Sequence, residues 1–267
     1  MKKANRALTI LIFIFLYIPM AVLIVASFNT GKDITHFDGF TLKQYVELFK
    51  DDNLLNLLAN SLIISSLATC IATVFGTVSA VGINALNPKM RQAAMTLTNI
   101  PMTNPDIVTG VSLGLLFVFV GTKMLGQRDS LTFWTLLIAH ITFNLPYVIL
   151  NVMPKLQQMD RSLTDAAMDL GCTPIQSFFK VTLHEIMPGI VSGVTMVFVP
   201  AVSTFYISQK LGGTDTVLIG DVIERQFKQG NNPNLGAALS LVLMLLVFVC
   251  TGIMNRFGAD EEGGVIA

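Results

Sequence analysis

The chain has 267 residues, 52% hydrophobic and only 13% charged, with a formal net charge of zero. Ordinary soluble domains carry about a quarter charged residues, so this balance and a mean hydropathy of +0.65 place the chain in the membrane class. Neutrality argues against a nucleic-acid partner. Cys70, Cys172 and Cys250 are too scattered for a disulfide framework or a CxxC metal site.

Met1–Arg6 is basic and is followed by the first run long enough to cross a bilayer, Leu8–Phe28. A signal-peptide core spans only about 7–15 residues. The run is longer, and Val25-Ala26-Ser27 is a faint cleavage site, so the segment reads as an uncleaved anchor helix. Lys2, Lys3 and Arg6 set the N-terminus in the cytoplasm. Counted over all loops, nine Lys and Arg lie inside and eight outside, so the N-terminal cluster carries the orientation.

The loop Asn29–Asn56 then lies outside. The second run, Leu57–Ile83, carries a ladder of small residues: Ser61, Ser65, Ala68, Ala72, Gly76 and Ala80. Helices in lipid associate by close approach at such residues. Asn84–Asn99 is a cytoplasmic loop, and the third run is Asp106–Leu125, with Gly110-xxx-Gly114. Thr122–Thr132 lies outside. The fourth run, Phe133–Met153, contains Pro146. Pro154–Met187 is cytoplasmic. The fifth run, Pro188–Ser208, contains Gly189-xxx-Gly193 and Pro200. Gln209–Asn234 lies outside, the sixth run is Leu235–Asn255, and the tail is cytoplasmic. Each run must satisfy its own backbone in lipid. The fold class is therefore all-α, a polytopic membrane protein of six transmembrane helices in one domain. Pro146 and Pro200 each remove a backbone donor and kink their helices, either structurally or to shape a pathway.

Between the fourth and fifth runs lies a polar module. Ser162-Leu163-Thr164-Asp165 fits a capping box. Leu163, Ala166, Ala167 and Leu170 recur at i, i+3, i+4 and i+7. Gly171 stands where a helix ends on a glycine. Thr173 can cap a second helix with Pro174 at its first position, and Ile175, Phe178, Phe179, Thr182 and Ile186 share a face. Two short amphipathic helices at a glycine turn need a surface to cover. They either cap the bundle's own end or insert into a cytoplasmic partner's groove.

Asp165-Ala166-Ala167, three residues, Gly171, nine residues, Val181, one residue and Leu183 resemble the EAA signature of bacterial ABC importer permeases. Asp165 replaces the usual glutamate, and His184 stands where a proline is expected, although Pro188-Gly189-Ile190 fits downstream. Further segments resemble spermidine/putrescine permeases, C-type subunits above all. These are Tyr17-Ile18-Pro19, Ser27-Phe28-Asn29, Gly39-Phe40-Thr41-Leu42, Asn60-Ser61-Leu62, Pro105–Gly110, His140, Pro146-Tyr147-Val148 and Phe198–Ser240.

The resemblance implies the type I ABC importer permease fold. It implies a homologous permease subunit as heterodimer partner, two ATP-binding subunits on the cytoplasmic face and an extracytoplasmic substrate-binding protein. It makes the module a coupling helix, with Asp165, Ala166, Ala167 and Gly171 at the ATPase contact. ATP and Mg belong to the partners, and this chain holds no cofactor or metal. The implied cargo is a polyamine, or iron, sulfate or an amino acid within the same class, moved by alternating access.

A polycation needs carboxylates, aromatic faces and carbonyls. Asp106 is the acid bordering an apolar run, and serves either the cargo path or the first turn of a helix. His140, Phe143, Asn144 and Tyr147 share one face of the fourth run, as a helix–helix hydrogen-bond seam or a cavity wall. The fifth run offers Ser203, Thr204, Phe205 and Tyr206. The resemblance leads one to expect acids there, and none is present. The substrate path is read as Asp106, Asn144, Tyr147, Thr204, Phe205 and Tyr206. In the last outer loop Ile219, Val222, Ile223 and Phe227 form an apolar side beside Asp215, Asp221 and Glu224, as a lid or a receiving surface for the binding protein.

The chain has no GxxxxGK[ST] phosphate loop, so ATP hydrolysis is not its own work. A membrane enzyme would need a nucleophile–base pair or a metal motif, whereas His36, His140 and His184 are scattered. An ion-driven transporter would favour buried acids and internal repeats, which the sequence does not display.

Overall fold

The computed structural model describes residues 2–31, 34–124, 126, 131–213, 216–229 and 232–263. Among these residues the structure is helical apart from one isolated bridge between Asn29 and Phe40. Six helical spans among the described residues are long and apolar enough to cross a membrane: Leu8–Ser27, Asp52–Ala85, Asp106–Met124, Phe133–Gln158, Pro174–Ser203 and Pro233–Met254. The chain divides into two compact units, Met1–Ala59 with Leu218–Leu246, and Asn60–Val217 with Val247–Ala267.

The larger unit is built on helix α6 (Phe133–Gln158) packed along α9 (Leu183–Ser203). Val148, Ile149, Val152, Met153 and Leu156 of α6 meet Ile186 and Val197 of α9 in a dry core. Ala80 of α3 (Asp52–Ala85) joins it. The small-residue ladder of α3 is buried from Ser61 to Ala80. A Cβ on Gly76 would stand 2.7 Å from the Val148 side chain. Gly110 and Gly114 of α5 (Asp106–Phe119) and Gly189 and Gly193 of α9 are buried too. Gly76 and Gly189 mark close helix approaches, as lipid gives helices no hydrophobic drive to associate and leaves packing at small residues to do it, whereas nothing lies within 4 Å of a Cβ built on Gly110. A polar seam crosses the pair: Ser192 donates to Asn151 Oδ1 at 3.1 Å, and Asn151 Nδ2 donates to the Tyr147 carbonyl at 2.8 Å.

Gly189 is the tightest point of that contact. A methyl group there would lie 2.9 Å from the Asn151 carbonyl oxygen and 3.3 Å from the Val152 Cα. Those are backbone atoms of a packed helix and cannot swing aside. Gly189→Ala is expected to cost about 1–3 kcal/mol, read as a lower thermal midpoint of the solubilised protein. Gly193→Ala, whose Cβ would sit at an ordinary 3.5 Å, is the control expected to change little.

Several sequence expectations need correction. Asn84–Asn99 is not a loop: α4 spans Pro88–Thr103, capped by Asn87, whose side chain accepts from the Met90 N–H at 2.9 Å. Met95 of α4 packs on the α6–α9 core. The fifth span does not run from Pro188 to Ser208. Its helix starts earlier, at Pro174, passes through a π-helical turn at Phe178–Thr182 and ends at Ser203. Pro188 lies inside it. Thr204 and Phe205 are non-helical, and α10 (Tyr206–Leu211) resumes beyond them. The fourth helix runs on to Gln158, so the segment 154–187 is mostly helix. The segments expected on the other side also hold helices, α2 (Lys43–Lys50) and α11 (Ile219–Lys228).

The smaller unit contains α1 (Lys2–Ser27), α2, α11 and the first part of α12 (Pro233–Gly263). A polar knot closes the end of α1. Buried Asn29 donates to the His36 carbonyl at 2.6 Å and accepts from the N–H of Gly31 and of Asp38. Tyr45 of α2 donates to Ser27 Oγ at 2.8 Å, and the Phe28 ring stacks on Phe40 at 5.2 Å. Asn234 at the start of α12 donates to the Gly31 carbonyl at 2.5 Å.

Candidate functional site

Within the larger unit two helix breaks face the same place. The first, at Asn104-Pro105, separates α4 from α5. Proline cannot donate from its nitrogen and holds the preceding residue extended, and Asn104 has ψ 140°. The second, at Thr204-Phe205, separates α9 from α10 (Thr204 ψ 137°). Pro200 lies one turn before it, and its carbonyl accepts the Thr204 N–H at 2.9 Å. Opposite both breaks runs the polar and aromatic stripe of α6.

These elements enclose a cavity of about 210 Å³ lined by Asp106, His140, Phe143, Asn144, Tyr147 and the stretch Pro200–Ile207 apart from Val202. All six residues read as the substrate path, Asp106, Asn144, Tyr147, Thr204, Phe205 and Tyr206, line this one cavity. The sequence reading placed Asp106 near the cytoplasmic start of the third helix. In the structure sixteen residues of α4 precede it, and it lies beside residues 140–147 of α6. At about 1.5 Å per residue, that stripe starts about 10 Å into a helix about 39 Å long. The acid that the fifth helix lacks is thus supplied to its break by α5.

Among the described residues no hydrogen bond or ion pair engages the Asp106 carboxylate, which is exposed to the cavity side. The Phe205 and Tyr206 rings lie 4.5 Å apart at 36°. His140 is 1% exposed, with Nδ1 2.9 Å from the Leu136 carbonyl oxygen. His140 Nε2 and Asn144 Nδ2 are buried without a hydrogen-bond partner among the described residues. The stripe is therefore not a sealed helix–helix seam. One carboxylate, four aromatic rings and orphaned polar atoms suit a small polar cation. Nothing in the sequence hinted at Ala201 or Ile207 as cavity wall. Pro200 was the readable sign that the fifth helix ends early.

The second candidate is the module after α6. Helix α7 (Arg161–Asp169) is capped by Asp160, not by the Ser162 box: the Asp160 carboxylate accepts the Ser162 N–H at 2.9 Å. Asp wins because its oxygen already reaches the second N–H of the helix, an orphan donor. That backbone N–H, then the Ser162 hydroxyl, hold the Asp160 carboxyl below the usual range. At the other end Gly171 has φ +91°. Its N–H donates to the Met168 carbonyl at 2.9 Å and Cys172 N–H to Ala167 at 3.1 Å, the paired closure of a Schellman turn. Thr173 then caps α8 (Pro174–Ser177) with Pro174 at its first position, as the sequence predicts, and Gln176 bonds back to the Thr173 N–H.

The module's apolar side chains do not cover the bundle. Leu163, Met168, Leu170, Ile175 and Phe179 are exposed, Leu170 by 88%. Inward, Ser177 bonds the Thr164 carbonyl and Thr182 and Ile186 are buried. The expected single face from Ile175 to Ile186 is split. The π turn adds one residue, and Leu183 N–H reaches back five residues to Phe178, so the register rotates. Asp165, Ala166 and Gly171 are exposed and Ala167 is half-buried. In helix α11, Asp221 accepts from the Leu218 N–H at 3.1 Å and Glu224 pairs with Lys228, while Ile219 is buried. Asp215 lies outside the described residues.

Residues 72–259 match the family described as Binding-protein-dependent transport system inner membrane component. The putrescine transport system permease protein PotI of Escherichia coli is 34% identical over 234 residues, 86% of this chain and 82% of that one. The spermidine/putrescine transport system permease protein PotC of Haemophilus influenzae is 31% identical over 254 residues, 94% and 96% of the two chains. Among solved structures, a chain of a bacterial ABC transporter that imports alginate superposes with a TM-score of 0.80 at 20% identity, covering 97% of this chain and 94% of that one. A chain of the methionine transporter MetNI gives 0.62 at 19% identity, covering 79% and 99%. These two show a shared fold.

Proposed function

Because the chain belongs to the binding-protein-dependent transport system inner membrane component family, we propose that it forms half of the membrane pathway of an ATP-driven importer for putrescine and spermidine. It is a multi-pass inner-membrane permease subunit of the ABC class and not an enzyme. ATP and Mg act in separate subunits. The N- and C-termini are cytoplasmic, and a homologous permease completes the pathway. Two ATP-binding subunits dock on the module at Asp165, Ala166, Ala167 and Gly171. An extracytoplasmic binding protein delivers cargo to the opposite end.

The observation that carries the cargo assignment is the meeting of Asp106 with the rings of Phe143, Tyr147, Phe205 and Tyr206 at two helix breaks. Broken helices inside a membrane protein are tolerated where they line a cavity. A carboxylate and aromatic faces attract ammonium groups by charge and by cation–π contact. The exposed apolar side chains around Gly171 support the docking assignment, since a cap on the bundle would have buried them.

The mechanism is alternating access. ATP binding draws the two ATPases together and moves the modules seated on them. Because α8 continues through the π turn into α9, such a displacement is transmitted along a helix that ends at the cavity. The test is the assembled complex in proteoliposomes with its own ATPase and binding-protein partners. Putrescine and spermidine are expected to stimulate ATPase activity and accumulate inside, while iron, sulfate and amino acids do neither. Stimulation by one of these instead of polyamines would overturn the cargo assignment and leave the permease class standing.

A further inference from the structure

We propose that His140 is a second anchor in the cavity, a neutral hydrogen-bond acceptor that selects diamines over monoamines. The proposal rests on the reading that the cavity holds a polyamine. A backbone carbonyl can only accept, so in the 2.9 Å contact with the Leu136 oxygen the His140 Nδ1 carries the proton and donates. Buried and without a carboxylate partner among the described residues, the ring stays neutral, since an unpaired buried charge is costly, and this leaves an unshared electron pair on Nε2. That atom is buried and has no partner among the described residues, and His140 is one of the residues lining the cavity. One turn further along α6, Asn144 lines the same cavity and its buried Nδ2 is also without a partner among the described residues.

A buried polar atom left unpaired is costly, and a fold retains such atoms where something else completes them. What completes a bare nitrogen lone pair is a donor. A primary ammonium carries three N–H donors, and the exposed Asp106 carboxylate at the α5 break takes the first of them with its charge. A diamine has a second terminal ammonium, and Nε2 accepts from it. The Asn144 amide, which can offer either its oxygen or its nitrogen, lies one turn from His140 among the residues lining the same cavity. An anionic cargo would meet the Asp106 charge and the Nε2 lone pair, both repulsive. A monoamine would satisfy Asp106 and leave Nε2 unpaired.

The test is equilibrium titration of the assembled permease–ATPase complex, without the binding protein, with putrescine and with n-butylamine. His140→Phe is expected to weaken putrescine by about 10- to 100-fold, the range of one charge-assisted hydrogen bond. It should move butylamine by less than about 3-fold. His140→Gln, which keeps a neutral acceptor, should restore most of the diamine preference. His140→Met repeats the comparison should the phenyl ring prevent assembly. Equal weakening of both amines, or of neither, would overturn the second anchor and leave the polyamine reading intact. A wild-type complex that binds neither amine would overturn both together.

Discussion

Asp106→Asn is expected to lower putrescine uptake by the assembled complex by about 30- to 150-fold while the chain still inserts and assembles. The substitution keeps the shape of the side chain and removes its charge. At about 4 Å and an effective dielectric constant of about 20, a carboxylate–ammonium pair is worth about 4 kcal/mol. The Asp106 side chain is exposed, so screening reduces that to about 2–3 kcal/mol, which is the stated range. Assembly should survive because no group of the described structure relies on the carboxylate. The rival role, an acid in the first turn of α5, contributes about 0.3–1 kcal/mol through the helix dipole. It would appear as a slightly lower thermal midpoint with unchanged uptake. Uptake measured in proteoliposomes separates the two. Normal uptake by the variant would remove Asp106 from the cargo path.

Gly171→Leu is expected to reduce cargo-stimulated ATPase activity to its basal level and to abolish transport. At φ +91° the backbone lies where an L side chain meets the adjacent carbonyl, a strain of about 1–2 kcal/mol for a single residue. No atom stands within 4 Å of a Cβ built there, so the strain is in the backbone and not in packing. The turn relieves it by rotating away from positive φ. That breaks the Gly171-to-Met168 and Cys172-to-Ala167 hydrogen bonds and swings α7 relative to α8. The exposed Leu170 and Ile175, on either side of the turn, then shift relative to one another. Gly171→Asn, which tolerates positive φ better than other residues, should retain much of the coupling. Gly171→Leu coupling as well as the wild type would show that the ATPases dock elsewhere.

The settings of Asp106 and Gly171 differ in how far they can be read from the sequence. The Gly171 turn was legible because its cause is local: an apolar repeat stops at Leu170, and a residue free to adopt positive φ follows. Thr173-Pro174 was legible for the same reason. The small-residue ladder of α3 was legible because close approach in lipid demands small side chains at a fixed spacing. Helix α4 was missed, although Asn87-Pro88 is a readable start, because its average hydropathy falls below that of a spanning run. The early end of α9 was missed because Phe205, Tyr206 and Ile207 are as apolar as a continuing helix. Hydropathy does not register a change in ψ at Thr204. The π turn at Phe178–Thr182 was missed because its register shift leaves no mark in composition.

By itself the sequence determined the membrane class, six spanning runs, the faces on which α3, α5 and α9 pack, and the glycine-jointed module. Each follows from residue types at short, fixed separations, where hydrogen bonding and periodicity act. Only the tertiary structure decided that Asp106, the α6 stripe and the break after Ser203 share one cavity, since these lie up to about a hundred residues apart and no local rule couples them. It also decided that the face expected from Ile175 to Ile186 is split, because that depends on the register shift of a single inserted residue in the helix leading into α9.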